Sequence, residues 1–492
     1  MTTATSIRSL EPKALWNNFA DLNAVPRPSK KEERVIRFIK EFGQGLNLET
    51  TEDEAGNIII RKPASTGMEN RQTVVLQSHL DMVHQKNAGT DFDFLTQGIE
   101  MLVDGDWVKA RGTTLGADNG IGVATMMALL QATDIAHPPL EALFTIDEET
   151  GMTGALALKG GLLKASIMLN LDTEDDRDLT IGCAGGVDVT ATGTYSQEGT
   201  AQHSKGYRLE VKGLTGGHSG MDIHLGRGNA NKLMNRLLYL AASQFGLRIS
   251  SIDGGSLRNA IPRESFAEVT VPAANSAAFE DFIKAHTAVL KAEYATTDPR
   301  LEVQQQALAA PAQVVAADFQ ERFLQALYAC PNGIYRMSPD IEKLVQTSNN
   351  LARVLLKNGE YTVQCLTRSS VDSEKEDLAR AIEAAFALAG AAVTMAGSYP
   401  GWTPRPGATI VKLMSELYHS MFQEAPHVNA CHAGLECGII GAHYPDMEMI
   451  SFGPNIRGAH SPDEQVQISS VQKYWNLLLE TLKSIPEPEK AV

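Results

Sequence analysis

The sequence predicts an α/β protein whose first domain is interrupted by an inserted α+β domain. Up to about Cys183, apolar runs of strand length alternate with helical segments; after it, strands become half-exposed and alternating. The acidic and imidazole residues that end the first strands find their last companion, His460, only near the C-terminus, so the first domain must be discontinuous. A chain of 492 residues also exceeds what one core organises, since domains run to roughly 100–200 residues.

The first segment opens with a helix, in which Ser29 can cap KKEERVIRFIKEFGQGL. Val35, Ile36, Phe38, Ile39 and Phe42 recur there at helical spacing until glycines end the pattern. NIIIRKP and TVVLQSHLDMV are apolar, β-branched runs of strand length, and GIGVATMMALLQAT is a continuously apolar helix after a Gly-rich turn. LEALFTIDEETGMTGA and ASIMLNLDTED are each an apolar strand ending in acidic residues, where open α/β sheets place their ligands.

Beyond Cys183, GTYSQEGTAQH is polar, YRLEVKGL alternates as a strand, and NKLMNRLLYLAA is a helix. RIS reads as a strand, SIDGGSLRNAIP as a turn, FAEVTV as a strand and FEDFIKAHTAVLKAEY as a helix, an α+β sandwich order. A similar run returns in ARVLLKNGEYTVQCLTRSS, with hairpin character, and in VDSEKEDLARAIEAAFALAG, an amphipathic helix capped by Asp372 or Ser373. The two halves can form one extended sheet. SYPGWTPRPG, Ser398 to Gly407, is a hinge, after which TIVKLMSELYHSMF returns to helix. The expected domains are 1–185 with 401–492, and the insertion 186–400.

Composition narrows the function. With 43% hydrophobic and 21% charged residues the chain is ordinary for a globular protein, and its net charge of -16 with no basic stripe argues against nucleic acid. Apolar stretches such as ATMMALLQA fall short of the roughly 20 residues a membrane span needs. MTTATSIRSLEPKALW lacks the basic and apolar regions of a secretory signal, so a cytoplasmic location is expected. No Gly-x-Gly-x-x-Gly follows an early strand, which disfavours a dinucleotide-binding oxidoreductase. The five cysteines are odd in number and scattered, consistent with reduced thiols. Cys431, His432 and Cys437 offer soft zinc ligands, but the flanking AGLE and GII fit buried small hydrophobes better.

The chemistry resides in short segments. His79 and Asp81, two apart on a strand-like run, share a face, so one can bind a metal while the other orients it. Asp118, among Gly116, Gly120 and Gly122, can bridge two cations or cap the helix that follows. Glu148 and Glu149 point in different directions and can divide ligation from proton transfer. Asp172 ends a strand, and Glu174 to Asp176 read as a solvated acidic turn. His460, followed by Ser461, Pro462, Asp463 and Glu464, stands in a segment that reads as a helix start or a ligand loop. Jointly His79, Asp118, Glu149, Asp172 and His460 supply mixed nitrogen and oxygen ligation suited to zinc and tolerable to manganese or cobalt.

SHLDMV, GADNGIG, DEETGMTG, LDTED, GGHSG and GAHSPDE together resemble the M20 family of co-catalytic metallopeptidases, over essentially the whole chain. The resemblance implies an aminopeptidase-like two-metal catalytic domain, with a mixed sheet flanked by helices, and an inserted lid and dimerisation domain. It implies that His79 and Asp172 hold one divalent ion, Glu149 and His460 the other, and Asp118 bridges both, with Zn2+ preferred over Co2+ or Mn2+. Asp81 would orient His79, Glu148 would be the general base toward a metal-bridged water, and the Asp118–Asn119 peptide would be cis. His218 in GGHSG would reach the neighbouring subunit's active site in a homodimer formed through the lid. Asn259 and Arg368 would hold the transition-state oxygen and the substrate carboxylate, and Gly434 would offer a backbone contact. The implied reaction is hydrolysis of small peptides, namely dipeptides, including Xaa-His dipeptides such as β-alanyl-histidine. The alternatives are another M20 reaction, tripeptide cleavage or N-acyl amino acid deacylation, and a non-catalytic metal-stabilised binding protein.

Overall fold

The computed structural model describes residues 6–488. The chain forms two compact units, one from the segments up to Gly182, Pro404–Ala430 and Leu435 onward, the other from Cys183–Thr403 and Cys431–Gly434. Both are sheets flanked by helices.

The sheet of the first unit has eight strands in the order Glu49–Glu52, Ile58–Lys62, Leu140–Thr145, Val74–His79, Ile167–Asn170, Glu448–Ser451, Asp178–Cys183 and His427–Cys431. Val74–His79 runs parallel to both neighbours, and Glu448–Ser451 runs parallel to Ile167–Asn170. Their carboxyl ends therefore open on one edge, where an open α/β sheet binds ligands. Val74–His79 and Leu140–Thr145 are buried at every position, as the near-continuous apolar sequence of inner parallel strands requires. Ala117–Gln131 is likewise apolar all round: Asn119 to Leu130 are all buried. Trp16, Phe19 and Leu22 of Lys13–Asn23, and Tyr474, Leu478 and Leu482 of Ile468–Ser484, add to the core.

A smaller sheet runs Ile456–Arg457, Gln465–Gln467, Trp107–Ala110, Met101–Asp104. Its first pair is an antiparallel hairpin whose loop carries His460. No helix starts at His460, so of the two readings of that segment the loop is the one realised; the following helix begins only at Ile468.

The sheet of the second unit orders Glu302–Leu308, Ser204–Lys212, Ser265–Pro272, Arg248–Gly255, Val345–Lys357, Glu360–Ser369, Gly185–Thr194 and Ala392–Tyr399, with Gly333–Met337 added beside Val345–Lys357. The two α+β halves thus form one extended sheet. Leu237, Phe279, Phe323 and Phe386 from its helices share a core with Leu209, Val269, Leu351 and Val363 of the sheet. Asn358 and Gly359, both at positive φ, make the tight turn of the central hairpin, the role Asn-Gly fills between two strands. Among the described residues no helix is long and apolar enough to cross a membrane.

Three local expectations are corrected. Ser29 does not cap the first predicted helix, which begins at Glu33 after Glu32; its hydroxyl instead donates to Asp81 Oδ2 at 2.8 Å. SIDGG is not a turn but the end of the strand Arg248–Gly255, paired on both sides. Neither Asp372 nor Ser373 caps its helix; Val371 holds that position, and Asp372 Oδ1 accepts from Lys375 Nζ and the Gly401 amide.

Candidate metal centre

His79 is the last residue of a buried strand and is itself 1% exposed. Its Nδ1 lies 3.1 Å from the Asp81 carbonyl oxygen and 3.3 Å from Asp81 Oδ1, so the ring proton belongs there. Nε2 is then a lone pair, and it faces Asp118 Oδ1 at 3.2 Å and Asp172 Oδ1 at 3.6 Å. Two carboxylates facing one imidazole nitrogen require a positive charge there, either a proton on the ring or a cation between the three groups. Burial alone would lower the His79 pKa, but Asp172, Asp118 and Asp81 outweigh it and hold it well above its ordinary value.

Asp118 sits in the first turn of Ala117–Gln131, and its peptide bond to Asn119 is cis. Its second oxygen, Oδ2, meets His460 Nε2 at 3.3 Å, and the same Nε2 is 3.0 Å from Glu149 Oε2. The two oxygens of Asp118 thus face two histidines. Burial favours its neutral form, yet His460 and His79 hold its pKa below the ordinary carboxylate value. Asp172 goes the other way, to about 6, because burial is reinforced by Asp118 and Glu149 and only partly opposed by His79.

Ligand atoms of His79, Asp118 and Asp172 lie within 4.8 Å of one another, as do those of Asp118, Glu149 and His460, and those of His79, Glu148 and Glu149. A further acidic group, Glu32, Asp81 and Asp147, has its members already engaged by Lys30, Ser29 and Thr153. Glu149 Oε1 is buried with no hydrogen-bond partner among the described residues, an expensive arrangement unless something positive meets it. The donor set therefore fits divalent cations. Cys431, His432 and Cys437 do not form such a group among the described residues; His432 Nε2 is bonded to Ser348 Oγ at 2.7 Å.

Asp81 organises the other side. It accepts the backbone N–H groups of Glu148 and Glu149 at 3.0 and 3.3 Å, and burial, which would raise its pKa, is outweighed by His79, Ser29 and Glu148, leaving it at about 2. Glu148 is thereby fixed beside His79 and Glu149, with its own pKa well above the ordinary value through burial and the surrounding Asp172, Glu436 and Glu149, partly offset by His79. The acidic turn after Asp172 is not simply solvated: Asp175 pairs with Arg457 at 3.0 Å and Asp176 with Lys473 at 3.1 Å.

The remaining predicted residues gather in the second unit. His218 Nδ1 accepts the amides of Gly220 and Met221 at 3.1 and 3.0 Å, so its proton is on Nε2. The Ser219 amide donates to the Asn259 carbonyl at 2.8 Å, joining GGHSG to RNAIP. Arg368 is 5% exposed, with Nε 3.4 Å from Ser219 Oγ and Nη1 3.0 Å from Tyr399 Oη. Among the described residues no carboxylate pairs with it; nearby Asp188 pairs with Arg258 at 3.3 Å. A Cβ at Gly220 would lie 2.0 Å from the His432 carbonyl oxygen and 3.2 Å from Arg368 Nε, which demands glycine where these segments meet. Gly434 follows in the same Cys431–Gly434 segment, whose Ala433 carbonyl accepts the Ala184 amide at 3.0 Å.

The sequence reading missed Ser29, Arg27, Glu436, Tyr399 and Glu464. Arg27 is 1% exposed and spans the loops of Asp81 and Asp118, donating to the carbonyls of Leu80, Asp81 and Gly116 at 3.0, 3.3 and 2.6 Å. Each acts on a partner distant in sequence, and only the spacing of Glu464 four residues after His460 was visible beforehand.

The model of Peptidase family M20/M25/M40 matches residues 75–484. The chain is 42% identical over 482 residues to the cytosol non-specific dipeptidase of Escherichia coli (strain K12), covering 98% of this chain and 99% of that protein. It is similar to the structure of aminoacylhistidine dipeptidase from Vibrio alginolyticus at 43% identity and a TM-score of 0.94, covering 98% and 99% of the two chains. It shares the fold alone with aminopeptidase PepT from Bacillus cereus, at 16% identity, a TM-score of 0.57 and coverage of 97% and 99%. The match to the family model and the full-length identity together show that this chain belongs to peptidase family M20/M25/M40.

Proposed function

We propose that the chain is a metal-dependent dipeptidase whose substrates include Xaa-His dipeptides such as β-alanyl-histidine. The observation that carries this reading is the sharing of Asp118, with one oxygen toward His79 and Asp172 and the other toward His460 and Glu149. His79, Asp118 and Asp172 would hold one divalent cation and Asp118, Glu149 and His460 a second, Zn2+ by the mixed donor set, with Co2+ or Mn2+ as substitutes. Such cations, when bound, polarise a carbonyl and lower the pKa of water.

Glu148 takes the proton of the attacking water and returns it to the leaving amine, a role its raised pKa and fixed main chain suit. His218, with its proton on Nε2, donates to the oxygen on which charge develops, assisted by Asn259. Arg368, buried and without a carboxylate partner among the described residues, takes the C-terminal carboxylate of the peptide, and Gly434 offers a backbone contact. The names of the relatives at 42% and 43% identity support dipeptides and aminoacyl-histidine as the substrate class.

The proposal extends to a homodimer formed through the second unit. Met221, Leu225, Ile334, Tyr335 and Met337 are large, exposed and apolar on adjoining elements, as a self-complementary interface requires. It extends also to a cytoplasmic setting, where the buried thiols of Cys330 and Cys365, with Sγ atoms 3.9 Å apart, stay reduced.

Zn2+-loaded protein assayed on β-alanyl-histidine, other Xaa-His dipeptides, tripeptides and N-acetyl amino acids tests the reading. Dipeptides are expected to be cleaved far faster than the others. Preferred cleavage of tripeptides or N-acetyl amino acids would replace the substrate assignment, and metal binding without hydrolysis of any of them would establish the binding-protein alternative.

A further inference from the structure

Glu464 is a buried acid, 2% exposed, four residues beyond His460, and both of its carboxylate oxygens are fully engaged. Oε2 accepts the backbone N–H groups of Leu115 and Gly116 at 2.7 and 2.9 Å, and Oε1 accepts those of Ala117 and Asp118 at 2.8 and 3.1 Å. These consecutive amides open the helix that carries Asp118, and the first N–H groups of a helix have no partner within it. Gly116, at φ 70°, turns them toward a common point, forming the kind of backbone nest that binds an anion. On the far side of the turn the Gly116 carbonyl is held by Arg27 Nη2 at 2.6 Å, and a Cβ at residue 116 would lie 2.5 Å from that nitrogen.

The loop that presents Glu464 is braced within itself. Ser461 Oγ donates to the Gly458 carbonyl at 2.7 Å and accepts the Asp463 amide at 3.2 Å, while the Glu464 amide donates to the Ser461 carbonyl at 3.1 Å. His460, at φ 64°, leaves the same turn toward Asp118 Oδ2. One short hairpin loop therefore makes two contacts with Asp118: an imidazole on its side chain and a carboxylate on its backbone. With each oxygen of Glu464 already accepting two amides, the side chain is not a further metal ligand. Its effect must pass through what it holds.

We propose that Glu464 is a positioning residue that couples the His460 loop to the Asp118 turn and so fixes the His460 imidazole against the Asp118 carboxylate for metal binding. The inference rests on Asp118 and His460 being metal ligands. Removing an outer partner of a metal ligand costs roughly 10- to 100-fold in metal affinity or activity. Glu464→Gln keeps the shape but replaces one acceptor oxygen by a donor facing amide N–H groups.

Chelator-stripped wild-type and Glu464→Gln proteins are titrated with Zn2+ by calorimetry, the Co2+-substituted forms are compared by visible absorption, and kcat and KM are measured. The expected result is Zn2+ affinity weaker by about 10- to 100-fold, an altered Co2+ spectrum, and a fall in kcat with KM changed much less. Zn2+ affinity within twofold of wild type and an unchanged Co2+ spectrum would overturn the proposal, whatever the change in Tm. If Glu464→Gln does not fold, Ser461→Ala, which loosens the same loop from its exposed side, takes its place: weaker Zn2+ binding supports the coupling and unchanged binding overturns it. Failure of the wild-type protein itself to bind Zn2+ would overturn the ligand assignment and this inference with it, an outcome distinct from normal wild-type binding beside an unaffected variant.

Discussion

The carboxylate of Asp81 accepts the backbone N–H of Glu148 at 3.0 Å. The same group faces His79 Nδ1 at 3.3 Å, so one buried acid fixes both the tautomer of a proposed ligand and the main chain of the proposed base. Asp81→Asn keeps the shape but turns one acceptor into a donor. Metal affinity is expected to fall by about 10- to 100-fold and kcat with it. Calorimetric titration of the stripped variant with Zn2+ checks this, and wild-type affinity would remove Asp81 from the site.

Glu148→Gln separates proton transfer from metal binding. Its carboxylate is not needed for either cation in the proposed assignment, so metal content and Tm should stay close to wild type. kcat should fall by about 10²- to 10⁴-fold, the usual worth of a positioned acid or base. Steady-state kinetics with metal analysis of the same preparation decides the matter: unchanged turnover at full metal content would mean that another group moves the proton.

The strands and the residues at their ends were legible in the sequence because both signals are local. Val74–His79 and Leu140–Thr145 are apolar runs; the first ends on its histidine, and Glu148 comes three residues after the second. What failed was capping. Ser29 and Asp372 have the side chains of helix caps, yet each spends its polar atoms on a distant segment, Asp81 in one case and Gly401 in the other. Glu464 is the converse, a residue that looks like part of its own turn and caps a helix hundreds of residues upstream. Periodicity and spacing report neighbours along the chain, whereas these hydrogen bonds exist only once the sheet has brought its strand ends together.

Arg368→Met tests the carboxylate site. Arg368 is a buried guanidinium whose side-chain partners among the described residues are the hydroxyls of Ser219 and Tyr399, which leaves donors to spare for an anion. A hydrogen bond to a charged group is worth about 1.5–3 kcal/mol, so kcat/KM for a dipeptide should fall by about 10- to 100-fold. The same dipeptide with its C-terminus amidated should be a poor substrate for wild type and lose little further in the variant. Equal losses on acid and amide would show that Arg368 does not read the carboxylate.

Glu436 gives the fold a pH dependence whose sign can be worked out. It is 1% exposed; Oε2 accepts from Gln77 Nε2 and Thr145 Oγ1, each at 2.6 Å, while Oε1 is buried without a partner among the described residues. Burial, aided by Asp172 and Asp81 and opposed by His79 and Thr145, lifts its pKa from 4.5 to about 7. The folded chain therefore holds a proton between those values that the unfolded chain has released. The stability this contributes is complete below the unfolded value and is lost as pH rises through the folded one. Glu436→Gln does not titrate, and its carbonyl oxygen can still accept from Gln77 and Thr145. In chelator-treated protein the variant should melt close to wild type near pH 5 and above it near pH 8, so that the difference in Tm grows across the interval. Thermal melts at closely spaced pH values check this, and a difference that does not change with pH would mean that Glu436 ionises as an ordinary carboxyl.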